Sequence, residues 1–258
     1  MILSSLVLLF ILAPLAGMFI HTGGSQFLET VKDKEVQQSV WLTLWVSFIA
    51  TFIFSLGAIP FAWSLARKKL PARNLLQGII DLPIVLPHTA AGIALLGFIS
   101  RDGILGKAAS LVGLNQVNHP AGIALAMALV SLPFLINAAR DGFAAVPERL
   151  EKAALNLGAS YTKVFFTISL PLAWRSITTG FVMMFARGMS EFGAVVIIAY
   201  HPMTAPVLIY ERFSSYGLNY ARPASVFFIL IALMFQIGLR LISLKRKKKN
   251  ISIDAQTD

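Results

Sequence analysis

Six stretches of this chain are apolar over about the length a helix needs to cross a bilayer, roughly 20 residues. They run approximately over 2–20, 40–66, 79–99, 120–139, 174–199 and 223–244. None alternates apolar and polar residues with period two, so a membrane barrel does not fit; helices are the other way to satisfy backbone groups in lipid. Trp41 and Trp45 at one end of the second run, and Trp63 near the other, stand where interfacial aromatic anchors belong. The first run has no Lys or Arg ahead of it and reads as a retained span rather than a secretory signal. The expected fold is an all-α membrane protein of six transmembrane helices, with 1–258 as a single domain. The stretches 21–39 and 101–119 read as polar loops.

Composition narrows the function. Only 13% of residues are charged, against about 25% in soluble domains. There is no cysteine, which removes disulfides, thiol chemistry and cysteine-ligated metals. The four histidines are scattered, with no HExxH and no paired carboxylates, so neither a metal site nor a hydrolytic site is expected. A net charge of +10 raises the question of nucleic acid, and its distribution argues against it. Fifteen Lys and Arg fall in the 67–77 loop, the 140–175 segment and the tail; six fall in the opposite loops; Arg187 lies inside a run. By the positive-inside rule the first set is cytoplasmic, both termini included, in a multi-pass plasma-membrane protein. The lysine cluster at 245–249 reads as an anchor on anionic lipid.

One cytoplasmic segment, 148–171, is not written like a loop. Leu150, Ala153, Ala154, Leu157 and Val164 recur at helical spacing. Pro147 can start a helix and Gly158 can end one. Glu148 and Glu151 fall in the first turn, where the helix dipole favours negative charge. The spacing predicts a short amphipathic helix outside the bilayer, with a small-residue face at Ala153 and Ala154, followed by a second segment reaching Leu170–Pro171.

Two runs are anomalous. The third holds Pro83, Pro87, His88 and Gly92. Each proline removes a helical hydrogen bond, and interrupted spans mark either a transport path or a kink packed in a bundle. Asp81 stands near its cytoplasmic end, and His88 reads as hydrogen-bonded structure more readily than as a proton relay. The fifth holds Arg187, Ser190 and Glu191. Arg187 and Glu191, four apart, can pair on one helical face, as a structural ion pair or on a pore or subunit interface. The 200–222 loop carries four of the five tyrosines and a predicted short helix over about 206–214. That aromatic density suits an interface belt or a protein-docking surface.

The offsets of Ala153, Ala154, Gly158, Ile168, Leu170 and Pro171 resemble the cytoplasmic coupling signature of ABC importer permeases. Lys152 stands where that pattern has Glu, with Glu151 one residue before it. DLPIVLPHTAAGIALL (81–96) and FARGMSEFGAVVIIAYHPMTAPVLIYERF (185–213) are similar to the archaeal molybdate/tungstate transporter permeases. The likeness covers roughly residues 38–243. It implies a homodimer of permeases with two ATPase copies and an external oxyanion-binding protein. It implies ATPase coupling through Glu148, Glu151, Lys152, Ala153, Ala154, Gly158 and Ala159. The two anomalous runs, the third and the fifth, are the expected gate, with the translocation path at Pro83, Pro87, His88, Gly92, Arg187, Ser190 and Glu191. Tyr200, Tyr210, Arg212 and Tyr216 become the candidates for docking the binding protein. No cofactor is expected on this chain and ATP–Mg belongs to the partner; no G-x-x-x-x-G-K-[ST] loop is present. The alternatives are a sulfate or other oxyanion permease of the same kind, or an ion-coupled transporter recruiting Asp81, His88 or Glu191.

Overall fold

The computed structural model describes residues 2–68, 72–110 and 116–254, with the side chains of 2–3, 109–110 and 240–254 outside that description. Lys69, Arg240 and the side chains of the 245–249 cluster therefore lie outside the described residues. The described chain is helical, with no strand among the described residues.

In order, α1 (Ile2–Ile20) and α2 (Gly24–Lys32) meet at 83°. Then come α3 (Lys34–Arg67), α4 (Arg73–Val85), α5 (His88–Ile99), α6 (Ile104–Ser110) and α7 (Pro120–Ala144). Beyond them lie α8 (Glu148–Asn156), α9 (Tyr161–Val164), a π-helical turn Phe165–Ser169, α10 (Leu170–Met189), α11 (Gly193–Ile198), α12 (Ala205–Tyr216) and α13 (Leu218–Asp254). Five stretches are long and apolar enough to cross a membrane: Lys34–Arg67, His88–Ala108, Pro120–Ala144, Tyr161–Met189 and Leu218–Leu239. The bent α1–α2 pair adds a sixth when counted as one broken span.

The centre of the bundle is α7, with α3 on one side and α10 on the other. Helices α3 and α7 run parallel: Ser47 Oγ donates to Met127 Sδ at one end, and Arg67 reaches the Val146 carbonyl at the other. The buried line on α3 is small and polar: Ser39, Thr43, Ser47, Ala50, Ser55, Ala58 and Ala62. Its hydroxyls bond back to the helix's own carbonyls, as Ser39 does to Val36 and Thr43 to Ser39. Apolar burial separates helices from lipid poorly, so small residues that let backbones approach are what hold such a contact together. Helix α10 runs antiparallel to α7. A methyl group added at Gly180 would come within 2.8 Å of Ala138 Cβ, and one at Gly142 within 2.4 Å of Ser176 Cβ.

The boundaries differ from the expected ones where side chains act across the fold. The second span begins at Lys34, not near 40, because Asp33 caps it by accepting the Glu35 amide proton. Val36 and Val40 are also buried there with Phe185 and Leu208. The 21–39 stretch is thus mostly helix, α2 and the start of α3, rather than loop. The third run is broken at Leu86–Pro87. Leu86 is extended, as the residue before a proline prefers to be, and Pro87 precedes α5. Pro83 lies inside α4 without ending it, and α5 runs unbroken through Gly92. The fifth run is not one rod over 174–199. The helix ends at Met189 and restarts at Gly193, because Glu191 Oε1 takes the Ala194 amide proton that a continuing helix would give to a carbonyl. The last span begins at Leu218 rather than 223, after Gly217 turns the chain at φ +80°.

Candidate functional site

Three places carry polar side chains that the bundle itself does not need. The first is α8. Pro147 precedes it, Glu148 opens its first turn, and Glu148 pairs with Lys152 at 2.9 Å. The hydrogen bond from Lys152 and its charge hold the Glu148 carboxyl below the usual carboxylate range. The helix ends as Gly158 donates to the Leu155 carbonyl and Ala159 to the Ala154 carbonyl, with Gly158 at φ +84°. This double closure needs a left-handed residue after the last turn, which glycine adopts without strain. The expected exposed face is bare: Lys152, Ala153 and Gly158 are exposed, and Leu157 is 89% exposed.

Glu151 does not share that face. It is 7% exposed. Arg67 Nε donates to its Oε2 at 2.8 Å and Arg67 NH2 to its Oε1 at 2.9 Å; Ser169 Oγ donates to Oε1 at 2.7 Å. The same Arg67 nitrogen donates to the Val146 carbonyl. The stretch from Tyr161 to Leu170–Pro171, expected as a second loop segment, is the start of the fifth crossing. Its π-helical turn inserts Phe165 between Trp63 of α3 and Phe143 of α7.

The second place is where the two broken crossings meet. A methyl group at Gly193 would strike His88 Cβ at 2.8 Å, and one at Gly92 would strike Ala194 Cα at 2.8 Å. The breaks at Leu86–Pro87 and Ser190–Phe192 therefore lie side by side. Glu191 is 0% exposed there. Its Oε2 is 2.9 Å from Arg187 NH2 and 3.2 Å from His88 Nδ1, an ion pair rather than an aligned hydrogen bond. Arg187 NH2 also lies 2.8 Å from His88 Nε2. The expected Arg187–Glu191 pair forms, though not on one helix: Arg187 is in the last turn of α10 and Glu191 lies beyond it. Pro83 is elsewhere, lining an apolar groove of about 430 Å³ with Phe54, Phe61, Pro133 and Ile136. Gln77, Asp81 and Asn137 form a closed hydrogen-bonded triangle between α4 and α7, with contacts of 2.7–2.9 Å.

The third place is the end opposite α8. Tyr200, Tyr210 and Tyr216 are exposed, and Tyr210 stacks at 4.9 Å on Phe192. Arg212 is not part of that open surface. It is largely buried, donating to Asp33 and lying 3.5 Å from Glu35. Burial raises the Asp33 carboxyl, but hydrogen bonds from Arg212 and the Glu35 amide, with the Arg212 charge, outweigh it and leave it lowered. Helix α12 is seated by the Ala205 amide donating to Thr43 Oγ1. Among the described residues no group of His, Asp and Glu is placed to hold a metal ion.

Sequence reasoning missed the partners of these groups. Arg67 entered only as an orientation charge and lies 84 positions from Glu151; Ser169, Gln77 and Asn137 carried no signal of their own.

The described residues form an all-helical bundle with helices of membrane-crossing length, the breaks at Leu86–Pro87 and Ser190–Phe192 close together, and a short helix projecting at one end. Residues 58–246 match the family described as binding-protein-dependent transport system inner membrane component, and the chain belongs to that family. The molybdate/tungstate transport system permease protein of Thermococcus kodakarensis is 38% identical over 92% of this chain and 92% of that one. Its counterpart in Pyrococcus furiosus is 42% identical over 82% and 80%. A probable sulfate transport system permease protein of Chlorokybus atmophyticus is 32% identical over 78% and 72%. The fold is that of a bacterial ABC transporter involved in import of the polysaccharide alginate, with TM-score 0.74, 16% identity, and 95% and 94% of the chains covered. An inward-facing methionine ABC transporter matches with TM-score 0.61 at 14% identity, over 81% and 95%.

Proposed function

We propose that residues 1–258 form one permease domain of an ATP-driven importer for molybdate or tungstate. Two copies frame the path, two ATPase subunits bind at the α8 ends, and an external oxyanion-binding protein delivers the anion. The chain carries no cofactor; ATP–Mg is on the ATPase. The protein sits in the plasma membrane with both termini cytoplasmic. Supporting the substrate are the archaeal relatives at 38–42% identity over most of both chains. The observation that carries the coupling role is α8 itself, clamped on its inner side through Glu151 and bare on its outer side at Ala153, Leu157 and Gly158.

An oxyanion of charge about −2 cannot enter hydrocarbon bare, since an isolated buried charge costs tens of kcal/mol by Born arithmetic. A wet seam between subunits avoids that cost. Pro87, His88, Gly92, Arg187, Ser190 and Glu191 gather where the two crossings break, and this is where the seam opens and shuts. Arg187 already holds Glu191 as a counter-ion, which weakens its grip on a passing anion. Tyr200, Tyr210 and Tyr216 are open for the binding protein, with Arg212 holding α12 in place beneath them.

The test is tungstate uptake into vesicles holding this chain, its ATPase and the binding protein. ATP-dependent uptake insensitive to a protonophore is expected. Uptake that survives ATP depletion and stops with the protonophore overturns the proposal in favour of an ion-coupled carrier. Sulfate remains the second substrate reading, on the 32% relative; calorimetry of the binding protein against each anion decides between them.

A further inference from the structure

We propose that Arg67 and Glu151 are positioning residues that set how much of an ATPase-driven displacement of α8 reaches the crossings; this rests on the coupling role proposed above. The clamp is built unlike a surface ion pair. Both side chains are about nine-tenths buried. The guanidinium meets both carboxylate oxygens, at 2.8 and 2.9 Å, and spends a further bond on the Val146 carbonyl. Ser169 Oγ occupies Oε1 from the other side. Planar two-point pairing fixes orientation as well as distance.

Four parts of the chain are joined at this one clamp. Arg67 is the last residue of α3, Val146 follows α7, Glu151 is in the middle of α8, and Ser169 immediately precedes α10. Those three long helices are the ones packed through small residues with little slack: Gly142 and Gly180 leave no room for a methyl group between α7 and α10. A shift of α8 is therefore shared by α3, α7 and α10 as a unit. At Leu86–Pro87 and Ser190–Phe192 the helical hydrogen-bond ladder is interrupted, and the proposed shift is taken up there. Without the clamp, α8 hangs on its two connections, and Gly158, with open space around it, can flex. The bare outer face is untouched by such a change, so docking and transmission become separable properties of the same helix.

The chain has no cysteine, which permits a reversible test. Arg67→Cys with Glu151→Cys removes both charges at once, leaving no lone buried ion. In vesicles with the ATPase and binding protein, two quantities are read: ATP hydrolysed, and tungstate imported per ATP. Before bridging, the complex assembles and hydrolyses ATP near the parent rate, while tungstate per ATP falls roughly tenfold, the scale of a typical coupling between sites. Bridging the two thiols with a short reducible methanethiosulfonate linker restores the ratio, and reductant abolishes it again. An unchanged ratio before bridging overturns the inference, as does a formed bridge that restores nothing. Loss of ATPase association before bridging also overturns it, since the pair would then serve docking. If the cysteine pair does not accumulate in membranes, Arg67→Gln with Glu151→Gln is read for tungstate per ATP alone: a fall with ATPase association intact supports the inference, and an unchanged ratio overturns it. ATP-independent tungstate uptake by the parent chain overturns the proposed function, and this inference with it.

Discussion

Glu191 is the residue whose surroundings are least forgiving. It is wholly buried; one oxygen accepts the Ala194 amide and the other faces Arg187. The two partners of the pair are therefore not equivalent. Arg187→Gln leaves the buried carboxylate facing only the His88 ring, a loss of about 3–5 kcal/mol. Glu191→Gln keeps an acceptor for Ala194 and leaves Arg187 partly solvated, so the loss is smaller. Thermal melts in detergent should rank them in that order, and equal losses would count against the asymmetry. An exchange of the two charges should not rescue either, because an arginine at 191 cannot accept from Ala194. At the rim opposite α8, Asp33 gives a pH signature. Its carboxyl is lowered from an ordinary 3.8 by Arg212 and the Glu35 amide, which outweigh burial. Its contribution is present above that value and is lost as pH falls through the lowered one. The melting temperature of the parent chain should drop more between about pH 5 and pH 3 than that of Asp33→Asn; parallel curves would exclude the pair as a contributor.

At the scale of elements, α8 and the broken third crossing behave differently from what their sequences imply. Gly158 closes α8 at φ +84° with nothing within 4 Å of an added methyl. Gly158→Val is thus a backbone test, not a steric one, costing about 1–2 kcal/mol locally. Co-purification of the ATPase should fall while the amount of chain in the membrane holds; full retention of the ATPase would sink the docking role. In the third crossing the two prolines were equal on the page. The structure separates them: Pro87 stands at the break, and Pro83 sits within α4 beside an apolar groove. Pro87→Ala should lower tungstate uptake, whereas Pro83→Ala should leave it near the parent value. Equal effects would show that the break is not the working hinge. The interruption of the third run was legible from its prolines; that of the fifth was not, because Arg187 and Glu191, four apart, read as a pair on one continuous helix. The positions of the breaks were not legible either, since Leu86 and Ser190–Phe192 are set by Pro87's steric demand and by Glu191 capturing a backbone amide.

For the whole molecule, orientation governs every role assigned above. A single Leu157→Cys on this cysteine-free background lies on the most open part of the α8 end. A membrane-impermeant maleimide should label it only in inside-out vesicles; labelling of intact cells would invert the molecule and remove the ATPase from reach. The sequence by itself determined the membrane class, a fold of five to six crossings and the projecting helix that opens at Glu148. Those follow from hydropathy and local spacing, which need no knowledge of what lies across the bundle. Only the tertiary structure decided which way each polar group faces. Glu151 turned inward to Arg67, Arg212 turned to Asp33, and the two broken crossings came together at Gly92 and Gly193. Such pairings join residues tens to hundreds of positions apart, and no local pattern encodes a partner at that distance. In lipid a buried charge must find one, so the fold supplies what the spacing could not name.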